Sequence, residues 1–171
     1  MRVFVVGTGR CGSVTFARAA AHMTNYTAAH ESPIAADLRF PDRHIEVSPR
    51  LTWVLPSLVE IYAADTLYVH LRRRKAEVVR SWLRRGRDRG PGIWERLVYG
   101  TVPNDFHQTC ELCYDAITRL IGMSLAGRNR MTIWLHAARQ SWGRFWQAVG
   151  AEGDYARSLA EWNVRYNASQ P

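Results

Sequence analysis

The chain has 171 residues with 23 basic and 15 acidic side chains, which gives a formal net charge of +8. This length suits one domain spanning residues 1–171, and a hydrophobic fraction of 47 % argues against intrinsic disorder. The three cysteines are too few for a dense disulfide framework. No apolar run is long enough for a membrane span or a secretory signal, so we expect a soluble, cytoplasmic protein of undetermined oligomeric state.

The predicted elements begin with a strand at residues 3–6, a continuous run of valine and phenylalanine that ends at Gly7. Residues 66–71 are apolar and β-branched and predict a second clear strand, whereas residues 45–47 predict a weaker one. Apolar residues at helical spacing predict helices at 13–23, 53–63 and 76–85. Strands therefore alternate with helices, which is the pattern of a parallel sheet.

A long loop is predicted at residues 86–106, because glycine and proline interrupt the helical pattern there. A loop of this length is commonly functional. Beyond it, the sequence predicts a helix at 109–126, a strand at 131–135, a helix at 141–149 and a last helix capped by Asp154. Together these elements predict a single α/β domain, with a parallel β-sheet between helices in three αβα layers.

The first strand is followed by a glycine-rich turn, Gly7-Thr8-Gly9-Arg10-Cys11-Gly12-Ser13. Such a turn cradles an anion, because its backbone N–H groups converge and the helix N-terminus adds partial positive charge. Gly7 and Gly12 have the spacing of the phosphate-binding loop of ATPases and kinases, but Ser13 stands where that loop needs lysine. The one lysine is Lys75, and no acidic residue that would hold magnesium ends a second apolar strand. A magnesium-dependent ATPase or kinase is therefore disfavoured, and no metal site is expected.

Other interpretations of this turn fit less well. A dinucleotide-binding fingerprint can be placed on its glycines, but the acidic residue expected about 20 residues later at a strand end is not convincingly present. The spacing of Cys11 and Arg18 does not match the loop of a cysteine phosphatase, so Cys11 is interpreted as a small residue in a tight turn. Four further candidates are interpreted as packing residues of the core: His70, Cys110, Cys113 and His136.

Most of the positive charge lies in one segment, residues 72–89. The segment holds nine basic residues and two acidic ones, Glu77 and Asp88, and nine minus two gives +7 of the total +8. Its charge suits a nucleic-acid patch, a site for a multiply charged small anion or a solvated helix face. Arginine accounts for 22 of the 23 basic residues of the chain, and its guanidinium binds phosphate and sulfate groups through paired hydrogen bonds.

Two stretches of the sequence together resemble the sulfotransferases that use 3′-phosphoadenosine 5′-phosphosulfate (PAPS). The turn at residues 7–13 is similar to their 5′-phosphosulfate loop. Residues 69–82 are similar to their 3′-phosphate motif, in which an arginine and a serine eight residues apart hold the phosphate, here Arg73 and Ser81. The motif usually reads arginine-aspartate-proline, where this chain has Arg73-Arg74-Lys75. The resemblance implies a P-loop-type fold and metal-independent, in-line transfer of a sulfuryl group from PAPS to an acceptor hydroxyl or amine.

The resemblance also implies which residues bind the nucleotide. Arg73 and Ser81 would hold the 3′-phosphate, and Arg165 would close over the bound nucleotide. The 5′-phosphosulfate would contact the turn and the start of the first helix, at Gly9, Arg10, Cys11, Gly12, Ser13, Val14 and Thr15.

For catalysis, the resemblance implies that Arg10 stabilises the transferring group. Glu31 is the expected general base, and His30 is the second candidate. The expected acceptor is a small molecule, a carbohydrate or a lipid head group. Residues 86–106 are the expected lid over that acceptor.

Three alternative functions remain. The basic helix at residues 72–89 would suit a nucleic-acid-binding protein, but this leaves the glycine-rich turn unexplained, so a nucleic-acid partner is not expected. A P-loop nucleotide kinase is a weak alternative, because the chain lacks the loop lysine that binds the phosphates in that class. A degenerate relative of the sulfotransferases would bind the nucleotide without catalysis.

Overall fold

Five parallel strands form one sheet in the computed structural model, which describes residues 1–62, 65–100 and 105–166. The strands are β1 (Arg2–Val6), β2 (Thr27–His30), β3 (His44–Val47), β4 (Thr66–Arg72) and β5 (Arg130–Trp134). Their order across the sheet is β2-β3-β1-β4-β5. β1 is therefore central, and its Phe4 is paired with Glu46 of β3 on one side and with Tyr68 of β4 on the other.

Helices cover both faces of this sheet. They are α1 (Ser13–Ala20), α2 (Leu55–Ile61), α3 (Lys75–Leu83), α4 (Pro91–Tyr99), α5 (Phe106–Ser124), α6 (Ala138–Ala148) and α7 (Tyr155–Ala160). Right-handed crossovers that run in opposite directions from the centre place their helices on opposite faces. Thus α1 packs with α6 on one face, while α3 and α4 pack against α5 on the other. The predicted α/β class with an all-parallel sheet between helices is confirmed.

Both faces of the sheet carry aromatic side chains in the core. Phe16 of α1 lies 5.0 Å from Trp142 and 5.0 Å from Phe145 of α6, measured between ring centroids. On the other face, the ring of Phe4 lies 5.3 Å from that of Tyr62. The two strands that were predicted most clearly, β1 and β4, carry the apolar residues that meet these helices.

Two elements differ from the sequence prediction. β2 was not predicted, because Thr27–His30 is a short edge strand without an apolar run. Residues 86–106 are not one long loop, since α4 occupies Pro91–Tyr99. Its proline lies in the first helical turn and Gly100 ends it in the left-handed conformation, so the residues that were interpreted as loop signals are the helix caps. Residues 101–104 of the expected lid lie outside the described part of the chain.

The other predicted elements are present with shifted ends. α1 ends at Ala20 rather than near residue 23, and the predicted helix at 53–63 is a 3₁₀ turn at Pro49–Val54 followed by α2, with residue 63 outside the described ranges. Asp154 caps α7 by accepting a hydrogen bond from the backbone of Arg157. None of the helices among the described residues combines the length and the apolar character needed to cross a bilayer.

Candidate anion-binding site at the carboxyl edge of the sheet

The glycine-rich turn after β1 is held tightly between β4 and the turn that follows β5. A Cβ atom on Gly7 would lie 2.5 Å from the carbonyl oxygen of Leu71, and one on Gly12 would lie 2.6 Å from a methyl carbon of Leu135. Gly9 and Gly12 also have positive φ angles of 75° and 92°. Gly7 is therefore required for space, and Gly9 and Gly12 for their backbone conformation, with Leu135 also having to move if Gly12 carried a side chain.

This turn lies where the strand order reverses, since the connections of β1 and β3 leave in opposite directions. Ligands of open parallel sheets bind at this point, outside the carboxyl ends of the strands. α1 begins at Ser13, directly after the turn, with Gly12 as its N-cap. The amide groups of its first turn therefore point toward the carboxyl edge, where they favour an anion.

Arg10 joins the turn to α3. Its Nε donates a hydrogen bond to Ser81 Oγ at 3.0 Å, and Arg73 Nη1 donates to the backbone oxygen of Arg10 at 3.2 Å. Burial lowers the pKa of Arg10, and the charges of Arg85 and Arg73 lower it further. The protein therefore holds partly desolvated guanidinium groups close together, an arrangement that a bound anion would stabilise.

Arg73 is oriented by two further contacts. Its Nε donates to Glu77 Oε2 at 2.8 Å, and Tyr114 of α5 donates its hydroxyl to the Arg73 carbonyl oxygen at 2.9 Å. The hydrogen bond from Arg73 is the main reason that the pKa of Glu77 lies below its usual value. Glu77 therefore stays ionised and paired with Arg73, the residue that the family resemblance predicts to bind the 3′-phosphate.

An open cleft of about 470 Å³ lies over these groups, a volume within the usual range of small-molecule sites. Most of the predicted site residues line it: Arg10, Gly12, Ser13, Val14, Thr15, Arg73, Ser81 and Arg165. Gly9 and Cys11 do not line it and face a small pocket on the other side of the turn. The structure thus brings together two predicted stretches that are far apart in the sequence.

Cys11 is a packing residue of the turn. The side chain is buried, with Sγ 3.1 Å from Thr8 Oγ1, and it donates to the backbone oxygen of Gly9 at 3.2 Å. Burial raises the pKa of the thiol. A buried, protonated thiol is a poor nucleophile, in keeping with the interpretation of Cys11 as a small residue in a tight turn.

The two candidate bases lie beside the cleft rather than in its lining. His30 ends β2, and its Nε2 lies 3.0 Å from Ser13 Oγ, which does line the cleft. Glu31 has a positive φ of 54°, and its carboxylate lies 3.8 Å from Arg50 Nη2 and 3.9 Å from His30 Nε2. His30 therefore contacts a residue of the cleft lining, Ser13, directly. Glu31 reaches the cleft lining only indirectly, through its contact with His30.

His136 was interpreted as a core histidine, and the structure contradicts this. It is exposed on a 3₁₀ turn at Leu135–Ala137, directly after β5, and it lines the cleft. Its position at a strand's carboxyl end was the signal that sequence reasoning could have used. His70 of β4, in contrast, is held in the sheet, where burial, with the charges of Arg72 and Arg130, lowers its pKa to about 4.

The sequence predicted that residues 162–167 would close over the nucleotide through Arg165, and the described part of this segment forms a wall of the cleft. Trp162 packs edge-on against Phe16 of the core at 6.0 Å and lines the cleft. Arg18 of α1 lies 4.4 Å over the ring of Tyr166, whose hydroxyl donates to Glu161. Residues 162–166 are thereby fixed at the rim, with the predicted Arg165 exposed beside them.

The acidic residue that lies within a described strand is not part of the cleft lining. Glu46 of β3 is buried with His44, at 3.3 Å between His44 Nε2 and Glu46 Oε2, and accepts from the backbone of Ser32 at 3.1 Å. Among the described residues, no three histidine, cysteine, aspartate or glutamate side chains group as a metal site would require. No protein-family model, curated protein or solved structure matches this chain.

Proposed function

We propose that the protein is a PAPS-dependent sulfotransferase, which transfers a sulfuryl group to a hydroxyl or amine of an acceptor without a metal. One observation carries the proposal. Arg10 of the glycine-rich turn is hydrogen-bonded to Ser81, and Arg73 to the backbone of Arg10, so the two stretches that resemble the family's phosphate motifs share one cleft.

The donors in the cleft fit a ligand with two separate anionic groups. The start of α1 and Arg10 would hold the 5′-phosphosulfate through amide N–H groups and a guanidinium. Arg73 and Ser81 would hold the 3′-phosphate. When bound there, PAPS would supply the sulfuryl group and a bisphosphate leaving group.

The acceptor oxygen or nitrogen would bond to sulfur as the bond from sulfur to the bisphosphate oxygen breaks, and the acceptor's proton would pass to a base. Glu31 is proposed as that base and His30 as the second candidate, which lies closer to the cleft through its contact with Ser13. Arg10 would stabilise the charge on the transferring group, because its guanidinium is fixed before the ligand arrives.

The proposal is tested by thermal stabilisation with adenosine 3′,5′-bisphosphate, with ATP and magnesium, and with a short RNA. We expect preferential, metal-independent stabilisation by the bisphosphate. Arg73→Ala should weaken bisphosphate binding about 10- to 100-fold, because it removes a charge-assisted hydrogen bond. Arg80→Ala is the matched control, since Arg80 is an exposed α3 arginine outside the cleft lining. An equal or stronger response to ATP would overturn the proposal, and an equal or stronger response to RNA would favour the nucleic-acid alternative.

Turnover is measured as release of adenosine 3′,5′-bisphosphate from PAPS over a panel of sugar, lipid and small alcohol acceptors. Glu31→Gln is expected to remove turnover while stabilisation by the bisphosphate stays near that of the wild type. If Glu31→Gln loses binding, its role is structural, and if only His30→Gln loses turnover, His30 is the base. Binding without turnover on any acceptor would favour the non-catalytic alternative.

A further inference from the structure

Helix α4 has its polar and apolar sides reversed relative to an ordinary surface helix. Glu95 is 0 % exposed, accepts a hydrogen bond from Thr109 of α5 at 2.5 Å, and lies 3.4 Å from Arg87 Nε. Leu97 is 81 % exposed, with Val98 at 54 % and Ile93 at 46 %. An amphipathic surface helix normally turns its aliphatic side chains to the core and its carboxylates to water.

This reversal concentrates aliphatic surface on one short helix. Ile93 and Leu97 are four residues apart and therefore neighbours on one helix face, and Val98 adjoins Leu97. Single exposed aliphatics are ordinary, but three on one nine-residue helix form a patch. Leu97 has the highest exposure among the large hydrophobic side chains that the structure describes.

Exposed arginines lie close to this patch in the sequence. Arg84, Arg85 and Arg89 precede α4 and are exposed, and Arg96 is exposed on the helix itself. The only acidic residues between positions 84 and 98 are Asp88 and the buried Glu95. Arg84 lines the cleft, and Arg85 lies close enough to Arg10 for its charge to lower the pKa of that residue, so the proposed nucleotide site leaves Arg89 and Arg96 without a role.

We propose that α4 is a docking surface for an anionic lipid bilayer. Ile93, Leu97 and Val98 enter the boundary between head groups and acyl chains, and Arg89 and Arg96 bind the anionic head groups. Helices that lie in a membrane interface combine these two features, an apolar face and flanking basic residues. The inference does not depend on the chemistry proposed for the cleft.

The side chains favour a bilayer over the two other anionic partners. A single-stranded nucleic acid is bound by exposed aromatic side chains on which bases stack, whereas the exposed large apolar side chains that the structure describes on α4 are the aliphatic Ile93, Leu97 and Val98. A folded acidic protein needs about 800 Å² of complementary surface on each side, far more than three side chains of one short helix provide. The exposed Leu97 can insert into a lipid bilayer, because a fluid bilayer does not require a complementary shape.

The test is co-sedimentation of the full chain with vesicles of equal parts phosphatidylcholine and phosphatidylserine, and with phosphatidylcholine vesicles alone. We expect sedimentation with the anionic vesicles only, falling as salt is raised. The double variant Ile93→Ser, Leu97→Ser should weaken binding about tenfold or more, because it removes the apolar contact. The double variant Arg89→Gln, Arg96→Gln should weaken it about fivefold for each arginine lost.

Two matched control variants distinguish specific binding by α4 from non-specific binding of exposed apolar and basic side chains. Met123→Ser removes an aliphatic side chain of α5 that is 72 % exposed, and Arg144→Gln removes an exposed arginine of α6 on the opposite face of the sheet. Both should bind vesicles as the wild type does. The proposal is overturned if the wild type stays in the supernatant with anionic vesicles or if Met123→Ser loses as much binding as Ile93→Ser, Leu97→Ser. It is also overturned if the α4 serine variant binds normally while RNA displaces the vesicles, since that identifies a nucleic-acid surface.

Discussion

Glu77 lies in the cleft with its carboxylate on Arg73, where the proposed 3′-phosphate would bind. The hydrogen bond from Arg73 lowers the pKa of Glu77, so the carboxylate is ionised at neutral pH. A phosphate must therefore displace this carboxylate or share the guanidinium with it. Glu77 keeps Arg73 in position in the absence of ligand and competes with the ligand when it arrives.

Glu77→Gln is predicted to tighten binding of adenosine 3′,5′-bisphosphate about 3- to 10-fold, because it removes a negative charge next to the bound phosphate. Calorimetric titration of the two proteins measures the difference. The control is Asp115→Asn, which removes the carboxylate from the neighbouring ion pair with Lys75 outside the cleft lining. Weaker binding by Glu77→Gln would mean that orienting Arg73 matters more than the competition.

At the residue scale, the sequence identified several residues that line the cleft, but it did not predict the hydrogen bonds that they form with one another. Arg10, Arg73 and Ser81 were recognisable from the turn and from their spacing. The pairing of Arg73 with Glu77 was not predictable from helical spacing, because Arg73 precedes Arg74, the N-cap of α3. The contact between Arg10 and Ser81 was not predictable either, since it depends on how closely the turn after β1 approaches α3.

At the element scale, β3 carries a polar pair inside the fold. Both His44 and Glu46 are buried, and Thr27 Oγ1 of β2 lies within hydrogen-bond distance of His44 Nδ1, at 2.7 Å. Burial alone would raise the pKa of Glu46, but hydrogen bonds from His44 and Ser32 together outweigh it, so the pKa lies below its usual value. This carboxylate thus ties β3 to the chain that follows β2.

Glu46→Gln is predicted to lower stability at neutral pH by about 1–3 kcal/mol, because the charge-assisted hydrogen bonds are lost. A lowered folded-state pKa gives stability that is present above the unfolded value and disappears as pH falls below it. Thermal unfolding of wild type and variant should therefore converge as pH falls below the ordinary carboxyl value of 4.5. Curves that stay parallel across that range would contradict the role given to this carboxylate.

Elements were predictable where their burial pattern was strong. β1 and β4 are continuous apolar runs buried on both faces, which is the signal of a central parallel strand. β2 lies at the sheet edge with side chains only partly buried, so its sequence holds no such run. α4 turns a carboxylate inward and aliphatics outward, and periodicity alone could not assign its faces.

At the scale of the whole molecule, the helices of both faces share one sheet, and the tryptophans are distributed over both layers. Trp82 of α3 is buried on one side and Trp142 of α6 on the other. Each helical layer packs its buried side chains against one face of the same sheet. Loss of the sheet would therefore expose the core on both sides. The chain should therefore unfold as a unit.

Urea unfolding is predicted to give one transition with the same midpoint by tryptophan fluorescence and by far-ultraviolet circular dichroism. Because each single variant keeps six of the seven tryptophans, the difference in fluorescence between wild type and Trp82→Phe reports one face, and the difference between wild type and Trp142→Phe reports the other. Coincident midpoints for the two faces are the expected result. Separate transitions would divide the chain into independently folding units and contradict the single domain predicted from its length.

Charge also has a distribution that only the whole molecule explains. The segment at residues 72–89 carries most of the net charge, and the structure divides its arginines between two places. Arg73 and Arg84 line the cleft and Arg85 lies close to Arg10, while the exposed Arg89 directly precedes the N-cap of α4. A basic run that suggests one partner in the sequence thus contributes both to the proposed nucleotide site and to the proposed lipid surface.

The central position of β1 has a consequence for the order of folding events. Val3 of β1 pairs with Ile45 and with Leu67, so no strand of the sheet is joined to its neighbour by a tight hairpin and every pairing closes a long loop. The cleft is lined by residues that follow β4, such as Arg73, and by residues that follow β5, such as Leu135. We therefore expect a nascent chain to lack the complete cleft until β5 has been synthesised and paired, so that ligand binding during refolding would report completion of the sheet rather than its nucleation.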